Sequence, residues 1–384
     1  MRPMEEKDVA LKILHTADWH LGRHFPSFSE EDETKLTRAR IEAVDRLFGL
    51  AESYAVNAVL CAGDLFDDPR PSEIWWGGLL RLLDRRNWRN CPVFLVPGNH
   101  DPLEPNSVWS EEHPFRKGLP SWVHVVDRDD YEVNVSDEAV LYATPCRSQA
   151  GADDLASRLP RRKSNDQRIR IGLVHGQTFD ISGHQTNFPI ALDAAQQRGL
   201  NYLAIGDTHA FRELPPKTSP MVYPGTPEAT SFGEKDTGFV AVVFFPHQGR
   251  PPIIQKHSVA RWQWRNQCCK SLNELEALAE QELKDCVLRL TLTMKVSLSE
   301  LERVEAILNE LKGNEAAHGK AGVLLIDRKD LELNTTNVDD FGQNLPEVLK
   351  AVIARLQVQS DEQNGVVAQR ALYHLYQTVR GPSK

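Results

Sequence analysis

An α/β fold built on a large mixed sheet system is what the sequence predicts, and three observations predict it. Short apolar runs recur through the first two thirds of the 384-residue chain, and most of them end in a polar cluster. Amphipathic stretches of helical length alternate with the early runs. Between residues 121 and 144, two or three strand-like runs follow one another with no helix between them, which a single parallel sheet does not allow.

In order along the chain, "LKILHT" (11–16), "AVLCAG" (58–63), "VFLVPG" (93–98), "AVLYAT" (139–144), "IRIGLVHG" (169–176) and "YLAIGD" (202–207) read as buried strands. "MVYPG" (221–225) and "GFVAVVFF" (238–245) add more. Within 37–51, Ile41, Val44, Leu47, Phe48 and Ala51 recur at helical spacing. "PSEIWWGGLLRLLDRR" (71–86) opens on Pro and Ser and offers Ile74, Leu79, Leu82 and Leu83 to one broad face. Beyond about residue 270 the texture changes. "VLRLTLTMKV" (287–296) alternates as a strand, "SLSELERVEAILNELKG" (297–313) begins at a cap and ends at Gly313, and "GVLLIDRKDLELN" (322–334) is strand-like again. A tail from Leu345 to Val379 carries two helical patterns around a polar break at 360–365. The expected division is 1–268, 269–340 for a β-α-β unit, and 341–384 for C-terminal helices.

Hydrophobic residues make up 41% and charged residues 26%, so the chain can bury a sizeable core. A net charge of -9 argues against a surface coated in positive charge, and any nucleic-acid contact must rest on local patches. The six cysteines contain no C-x-x-C pair, which implies a reducing cytoplasm rather than a disulfide framework. No run approaches the ~20 apolar residues of a membrane span.

The residues that follow the buried strands carry the chemistry. They are Asp18 and His20 in "ADWH", Asp64 in "GDLFD", Asn99 and His100 in "PGNHD", His175 in "HGQ", and Asp207 and His209 in "GDTH". In α/β sheets ligands gather at the carboxyl ends of strands, so loops distant in sequence can converge there. Carboxylate, imidazole and amide oxygen suit manganese, magnesium, iron or zinc. A single Asp after a strand is ordinarily a helix cap and a lone His ordinarily a satisfied core residue; five matching loops make that explanation of the whole set poor. The expected chemistry is a two-metal hydrolytic site, in which a shared carboxylate holds cations roughly 3.5–4 Å apart and a water between them attacks phosphorus. His100 would assist the departing oxygen. Asp101 would either steady the His100 ring or serve as a turn carboxylate before Pro102, and sequence alone leaves both open.

The successive motifs "DWHLG", "GDLFD", "GNHD", "HGQ" and "GDTH" resemble those of the calcineurin-like metallophosphoesterase superfamily over roughly the first 250 residues. "HTADWHLGR", "AGDLFDD", "VPGNHDP" and "YPGTPEATSFGE" (223–234) are similar to the SbcD-type repair-nuclease subunits and their relatives. The resemblance implies a four-layer sandwich of two mixed β-sheets flanked by helices, a small α+β cap domain, and C-terminal helices that dock an SMC-like (SbcC-type) ATPase. It implies two divalent cations, manganese or magnesium. Asp18, His20 and His209 would hold the first, Asn99, His175 and Asp207 the second, and Asp64 would bridge, with His100 as the catalytic histidine; a catalytic part for Asp101 rests on its place beside His100. One departure stands out: these relatives usually have "GH-x-H" where this chain has "GDTH". Asp207 thereby replaces a ligand histidine, which either hardens the second site toward manganese or magnesium or weakens it.

The resemblance implies a DNA nuclease, acting as exonuclease on duplex ends and endonuclease on single strands, in a cytoplasmic homodimer partnered by the ATPase. Trp75 or Trp76 would mark the dimer contact. Arg23, His24, Arg70 and Arg147 are candidate contacts to the DNA backbone, whereas the basic run at 158–170 reads as a solvated face. Two other functions compete: a phosphatase or phosphodiesterase of small phosphoesters, and a non-catalytic scaffold for DNA or ATPase.

Overall fold

The computed structural model describes residues 9–360, except for 87–90, 180–186, 216–219, 248–249, 315–316 and 334–344, together with a few residues between 367 and 378. The chain divides into two compact units, Met1–Trp262 and Gln263–Lys384.

The first unit is a sandwich. Its principal elements in chain order are β1 (Val9–Thr16), α1 (Glu30–Ser53), β2 (Ala58–Cys61), α2 (Glu73–Arg85), β3 (Val93–Leu95), β4 (Val123–Val125), β5 (Tyr131–Ser136) and β6 (Ala139–Ala143). There follow β7 (Ile169–His175), β8 (Tyr202–Gly206), β9 (Arg212–Leu214), β10 (Met221–Tyr223), β11 (Phe239–Pro246) and β12 (Ile253–Ser258). One sheet has the order β12-β11-β1-β2-β3-β4 and the other β9-β10-β8-β7-β6-β5. In the first, β1 to β4 run parallel and β11 pairs antiparallel with β1. In the second, β6, β7, β8 and β10 run parallel, and β5 and β9 close the two edges antiparallel. The mixed system expected from the sequence is therefore two six-stranded mixed sheets.

Side-chain alternation explains the layering. On β1, Leu11 and Ile13 face Leu141, Ile171, Leu173 and Ala204 of the other sheet, whereas Leu14 faces Val44, Leu47 and Phe48 of α1. On the far side of the second sheet, Val174, Leu203 and Ile205 pack beneath Leu155, Leu159 and Ala195. Four layers result, each inner one apolar on both faces. His15 sits on the inner face of β1, fully buried, with Nδ1 2.9 Å from the Tyr202 hydroxyl. Burial holds this imidazole down at about 3, so it is neutral.

α1 starts seven residues before the apolar periodicity does. Ser29 caps it by accepting from the Asp32 N–H, and four acidic residues occupy its first turn. In α2, Trp75 and Trp76 are both half-buried: Trp75 lies over the Cα of Gly22, and Trp76 meets the His113 ring edge-on.

In the second unit, β13 (Gln263–Cys269), β14 (Cys286–Leu292) and β15 (Val323–Asp327) form a parallel three-stranded sheet in the order β13-β14-β15. Residues 263–268, placed with the first domain on sequence grounds, pair with β14 along their length. Helices α3 (Leu272–Ala279) and α4 (Leu298–Lys312) cover the sheet through Leu275, Leu278, Val304, Ile307 and Leu311. A full capping box between Ser297 and Glu300 opens α4. The tail helix α5 spans Glu347–Ser360, and half of the second helical pattern expected after Gly365 lies outside the described residues.

Candidate metal centre

The loops that leave the carboxyl ends of β1, β2, β3, β7 and β8 meet over the edge between the two sheets. Backbone hydrogen bonds tie them to one another. Asp18 N–H donates to the Gly63 carbonyl (3.0 Å), His20 N–H to the Asp64 carbonyl (2.9 Å), and Asp207 N–H to Asp18 Oδ1 (3.0 Å). His100 N–H donates to Asp64 Oδ1 (2.9 Å). Four of the polar residues, Asp18, His20, Asp64 and Asp207, hold positive φ, between 44° and 99°. Left-handed backbone is costly for a residue with a Cβ, so these side chains are aimed by surroundings that overrule local preference. Glycines supply the clearance. A Cβ on Gly98 would lie 2.1 Å from Asp64 Oδ1, and one on Gly206 would lie 1.9 Å from the Ala62 carbonyl oxygen and 2.7 Å from His175 Nδ1.

All seven residues assigned to the cations reach this pocket, forming two clusters with a shared carboxylate. In one, His20 Nε2 lies 3.0 Å from His209 Nε2. In the other, His175 Nε2 lies 2.8 Å from Asn99 Oδ1 and 3.8 Å from Asp207 Oδ1. Asp64 Oδ2 sits between, 3.7 Å from His20 Nε2 and 3.5 Å from His175 Nε2. Donor atoms of Asp18, Asp64 and His175 lie within 4.8 Å of one another, as do those of His20, Asp64 and His100.

The hydrogen bonds fix which imidazole nitrogen carries a proton. His175 Nδ1 donates to the Ala62 carbonyl (2.7 Å) and His209 Nδ1 to Glu234 Oε1 (2.8 Å). His20 Nδ1 makes a short ion contact with Asp67 Oδ1 (2.9 Å), bent away from a linear hydrogen bond. Each Nε2 then presents a lone pair to the pocket. Two lone pairs face each other across 3.0 Å at His20 and His209, and an imidazole faces an amide oxygen across 2.8 Å at His175 and Asn99. Acceptor against acceptor is repulsive unless a proton or a metal cation lies between. Asp18 Oδ2 is buried and has no hydrogen-bond partner. Imidazole, carboxylate and amide oxygen, buried at Asp18, His20, Asp64 and His175 and half-buried at Asn99, Asp207 and His209, fit a pair of divalent cations.

The electrostatics show how strongly the pocket calls for positive charge. Burial would lower the His175 pKa, but the carboxylates of Asp64, Asp18 and Asp207 override it and push the group up to about 9. Burial raises Asp18 to about 6 against the pull of His175 and His209. Burial also lowers His20 to about 4, outweighing its Asp67 contact. The pocket thus concentrates negative charge and favours a cation over the protonation of His20.

His100 stands at the rim, its side chain 40% exposed and its ring edge-on to His20 with centroids 4.8 Å apart. Its Nδ1 lies 3.4 Å from the Asp67 carbonyl oxygen and 3.7 Å from Asp67 Oδ1. Asp101 does not reach this ring, which corrects the first of its two sequence readings. Its carboxylate is fully buried and accepts from the Gly98 N–H (2.8 Å) and the Phe66 N–H (3.1 Å), locking the second and third loops together. Asp67, the second Asp of "GDLFD", occupies the neighbouring position instead.

Of the DNA-contact candidates, Arg23 pairs with Asp67 (3.1 Å), Arg147 with Asp129 (2.7 Å), and His24 lies 3.1 Å from Glu33. Arg70 is exposed, with no ion pair among the described residues. The basic run at 158–170 is only partly a solvated face. Arg162 donates to the carbonyls of Gly199, Asp166 and Arg168 and to Asn201, and buried Arg170 pairs with Asp166 (3.0 Å). These bonds lie at the amino ends of β7 and β8, the opposite end of the sheet from the pocket.

Sequence reading missed three residues that support the site. Glu234 and Asp67 back two of the histidines. Buried Arg40 of α1 donates to the carbonyls of Trp19 (2.8 Å) and Glu228 (2.9 Å) and to Thr226 Oγ1 (3.1 Å), tying the first motif loop to the 226–229 segment. A charged residue on the core face of α1, between Leu36 and Val44, was the available signal for Arg40.

Residues 11–211 match the family model for calcineurin-like phosphoesterases. The chain is 26% identical over 244 residues to an uncharacterized metallophosphoesterase, YhaO, of Bacillus subtilis, covering 60% of this chain and 57% of that protein. It is 24% identical over 257 residues to the SbcD component of nuclease SbcCD from the same organism, covering 58% and 63%. With the DNA double-strand break repair protein Mre11 of Methanosarcina mazei it shares 24% over 251 residues, covering 63% and 37%. Each match thus spans less than two thirds of the relative's own length. With more than half of its residues matched, this chain belongs to the calcineurin-like phosphoesterase family, whose members hydrolyse phosphoesters with divalent metal ions.

Proposed function

We propose that the chain is the nuclease component of a DNA-processing complex, cleaving phosphodiester bonds as an exonuclease on duplex ends and an endonuclease on single strands. The observation that carries the phosphodiesterase chemistry is the convergence of six other donor side chains around Asp64 with His100 at the rim. Likeness to the SbcCD and Mre11 proteins favours DNA as substrate, as does a second folded unit that a compact small-molecule phosphatase would not need. The proposal extends to a homodimer, an SMC-like ATPase partner and a cytoplasmic setting. No helix among the described residues is long and apolar enough to cross a membrane.

Asp18, His20 and His209 would hold one cation, Asn99, His175 and Asp207 the other, and Asp64 would be shared. Bound divalent ions supply charge stabilisation at the phosphoryl oxygens and activation of a water nucleophile. The rest falls to the protein. Asp67 borders His100 Nδ1, leaving Nε2 free to deliver a proton to the departing oxygen, and the 2.9 Å bond from the His100 amide to Asp64 fixes that ring's distance from the donors. Asp207 reaches the second cluster as a carboxylate, so a harder cation such as manganese or magnesium suits it.

The test is His100→Ala, assayed for manganese binding by calorimetry and for cleavage of labelled linear duplex DNA. Two cations bound with cleavage reduced by about 100-fold or more is the expected result. Undiminished cleavage removes His100 from this role, and a wild-type protein that cleaves small phosphoesters but no DNA favours the phosphatase reading.

A further inference from the structure

The segment "YPGTPEATSFGE" (223–234) marks the likeness to the repair nucleases, yet the reaction assigns its residues no part. The structure carries its last residue into the pocket. Glu234 Oε1 accepts from His209 Nδ1 (2.8 Å) and from the Thr230 hydroxyl, while Oε2 accepts from the Thr230 N–H (2.8 Å). Both oxygens are thereby fixed, and the carboxylate is only 17% exposed. The segment's other end is anchored as firmly: Thr226 Oγ1 donates to the Asp18 carbonyl (2.8 Å), and Thr226 N–H donates to the His209 carbonyl (2.9 Å).

Only a carboxylate in this position sets both tautomer and charge. It keeps the proton on Nδ1, directs the Nε2 lone pair at His20 Nε2 3.0 Å away, and increases the ring's donor strength. His175, in the other cluster, leans on a neutral partner, the Ala62 carbonyl. Asp67 lies against His20 as a second carboxylate, so both histidines of the His20–His209 pair are backed by negative charge.

We infer that Glu234, braced by Thr230, is a positioning residue for His209 and makes the cation site of His20 and His209 the tighter of the two. The inference rests on the reading of this pocket as a cation centre. Its consequence is stepwise filling, with the first cation entering on the side of the 223–234 segment.

Calorimetric titration of the full chain with manganese resolves the two steps. Glu234→Gln keeps the shape and one acceptor but loses the charge; Glu234→Ala loses both. The expected result is a tighter step weakened about 10-fold by E234Q and about 100-fold by E234A, with the weaker step moved less than threefold. Nitrogen-15 shifts of the His209 ring, identified by comparison with His209→Gln, should show Nδ1–H in the wild type and a tautomer mixture in E234Q. A purely structural role would lower the melting temperature yet leave the tautomer and the two affinities alone. Unchanged steps in a wild-type-like, two-cation E234Q overturn the inference and leave the cation centre standing. A wild-type chain that binds no manganese overturns both.

Discussion

Gly98→Ala is the most direct probe of how the pocket is built. An added Cβ would lie 2.1 Å from Asp64 Oδ1 and 2.3 Å from the Asp64 amide nitrogen, more than an ångström inside ordinary van der Waals separation. The carboxylate could swing aside only by giving up the His100 amide. The backbone nitrogen cannot yield alone, because the Asp64 and Leu65 carbonyls are held by the amides of His20 and Leu21 at 2.9 and 2.8 Å. Overpacking costs about 1–3 kcal/mol, and a clash with backbone belongs at the upper end. At about 2–4 °C per kcal/mol for a domain of this size, the melting temperature should fall by roughly 6–12 °C. Because the displaced group is the carboxylate shared by both clusters, both manganese steps should weaken by about 100-fold or more. Gly49→Ala is the control. It lies within α1 with nothing inside 4 Å of an added Cβ, and should stabilise by about 0.5–1 kcal/mol without touching metal affinity. Differential scanning calorimetry and manganese titration read both variants. A Gly98→Ala protein with wild-type melting temperature and wild-type affinities would refute the claim that this glycine seats Asp64.

Two further predictions concern buried polar groups. Glu228 is 2% exposed, its carboxyl accepts from the amides of Arg261 and Trp262, and burial raises it from 4.5 to about 7. A carboxyl raised in the folded state binds its proton more tightly there, so its contribution to stability falls as pH climbs from about 4.5 to about 7. Denaturant unfolding should show Glu228→Gln gaining on the wild type between pH 4.5 and pH 8, by at most about 3 kcal/mol; a gap that is constant over that range contradicts it. Tyr202→Phe should cost about 1–3 kcal/mol by stripping His15 Nδ1 of its partner, since His15 Nε2 already has none. Adding His15→Leu should recover part of that loss, and a double variant as unstable as the sum of the singles would show that the pair does not act together.

What the sequence discloses, and what it hides, divides along a physical line. The convergence of Asp18, His20, Asp64, Asn99, His175, Asp207 and His209 was legible because each breaks an apolar run at its carboxyl end, and apolar runs of that length have few other readings. The two-sheet core was legible for the same reason: Leu11, Ile13 and their counterparts recur with period two. Glu234 and Asp67 were not, because a residue that backs a pocket histidine from behind has no periodic mark. Asp101 was misplaced beside His100 because adjacency in sequence says nothing about Phe66 N–H, which tertiary folding delivers from another loop. Residues 263–268 were placed with the first unit because "QWRNQC" belongs to an edge strand, largely exposed and without an apolar face, that is identified only by its pairing with β14.

Positive φ at Asp18, His20, Asp64 and Asp207 has an evolutionary corollary. Each such residue carries a penalty of roughly 1–2 kcal/mol that glycine would avoid. A descendant relieved of holding ions would gain stability by drifting to glycine at any of the four. Inactive copies of this chain should therefore announce themselves by glycine at those corners before their hydrophobic interior changes at all.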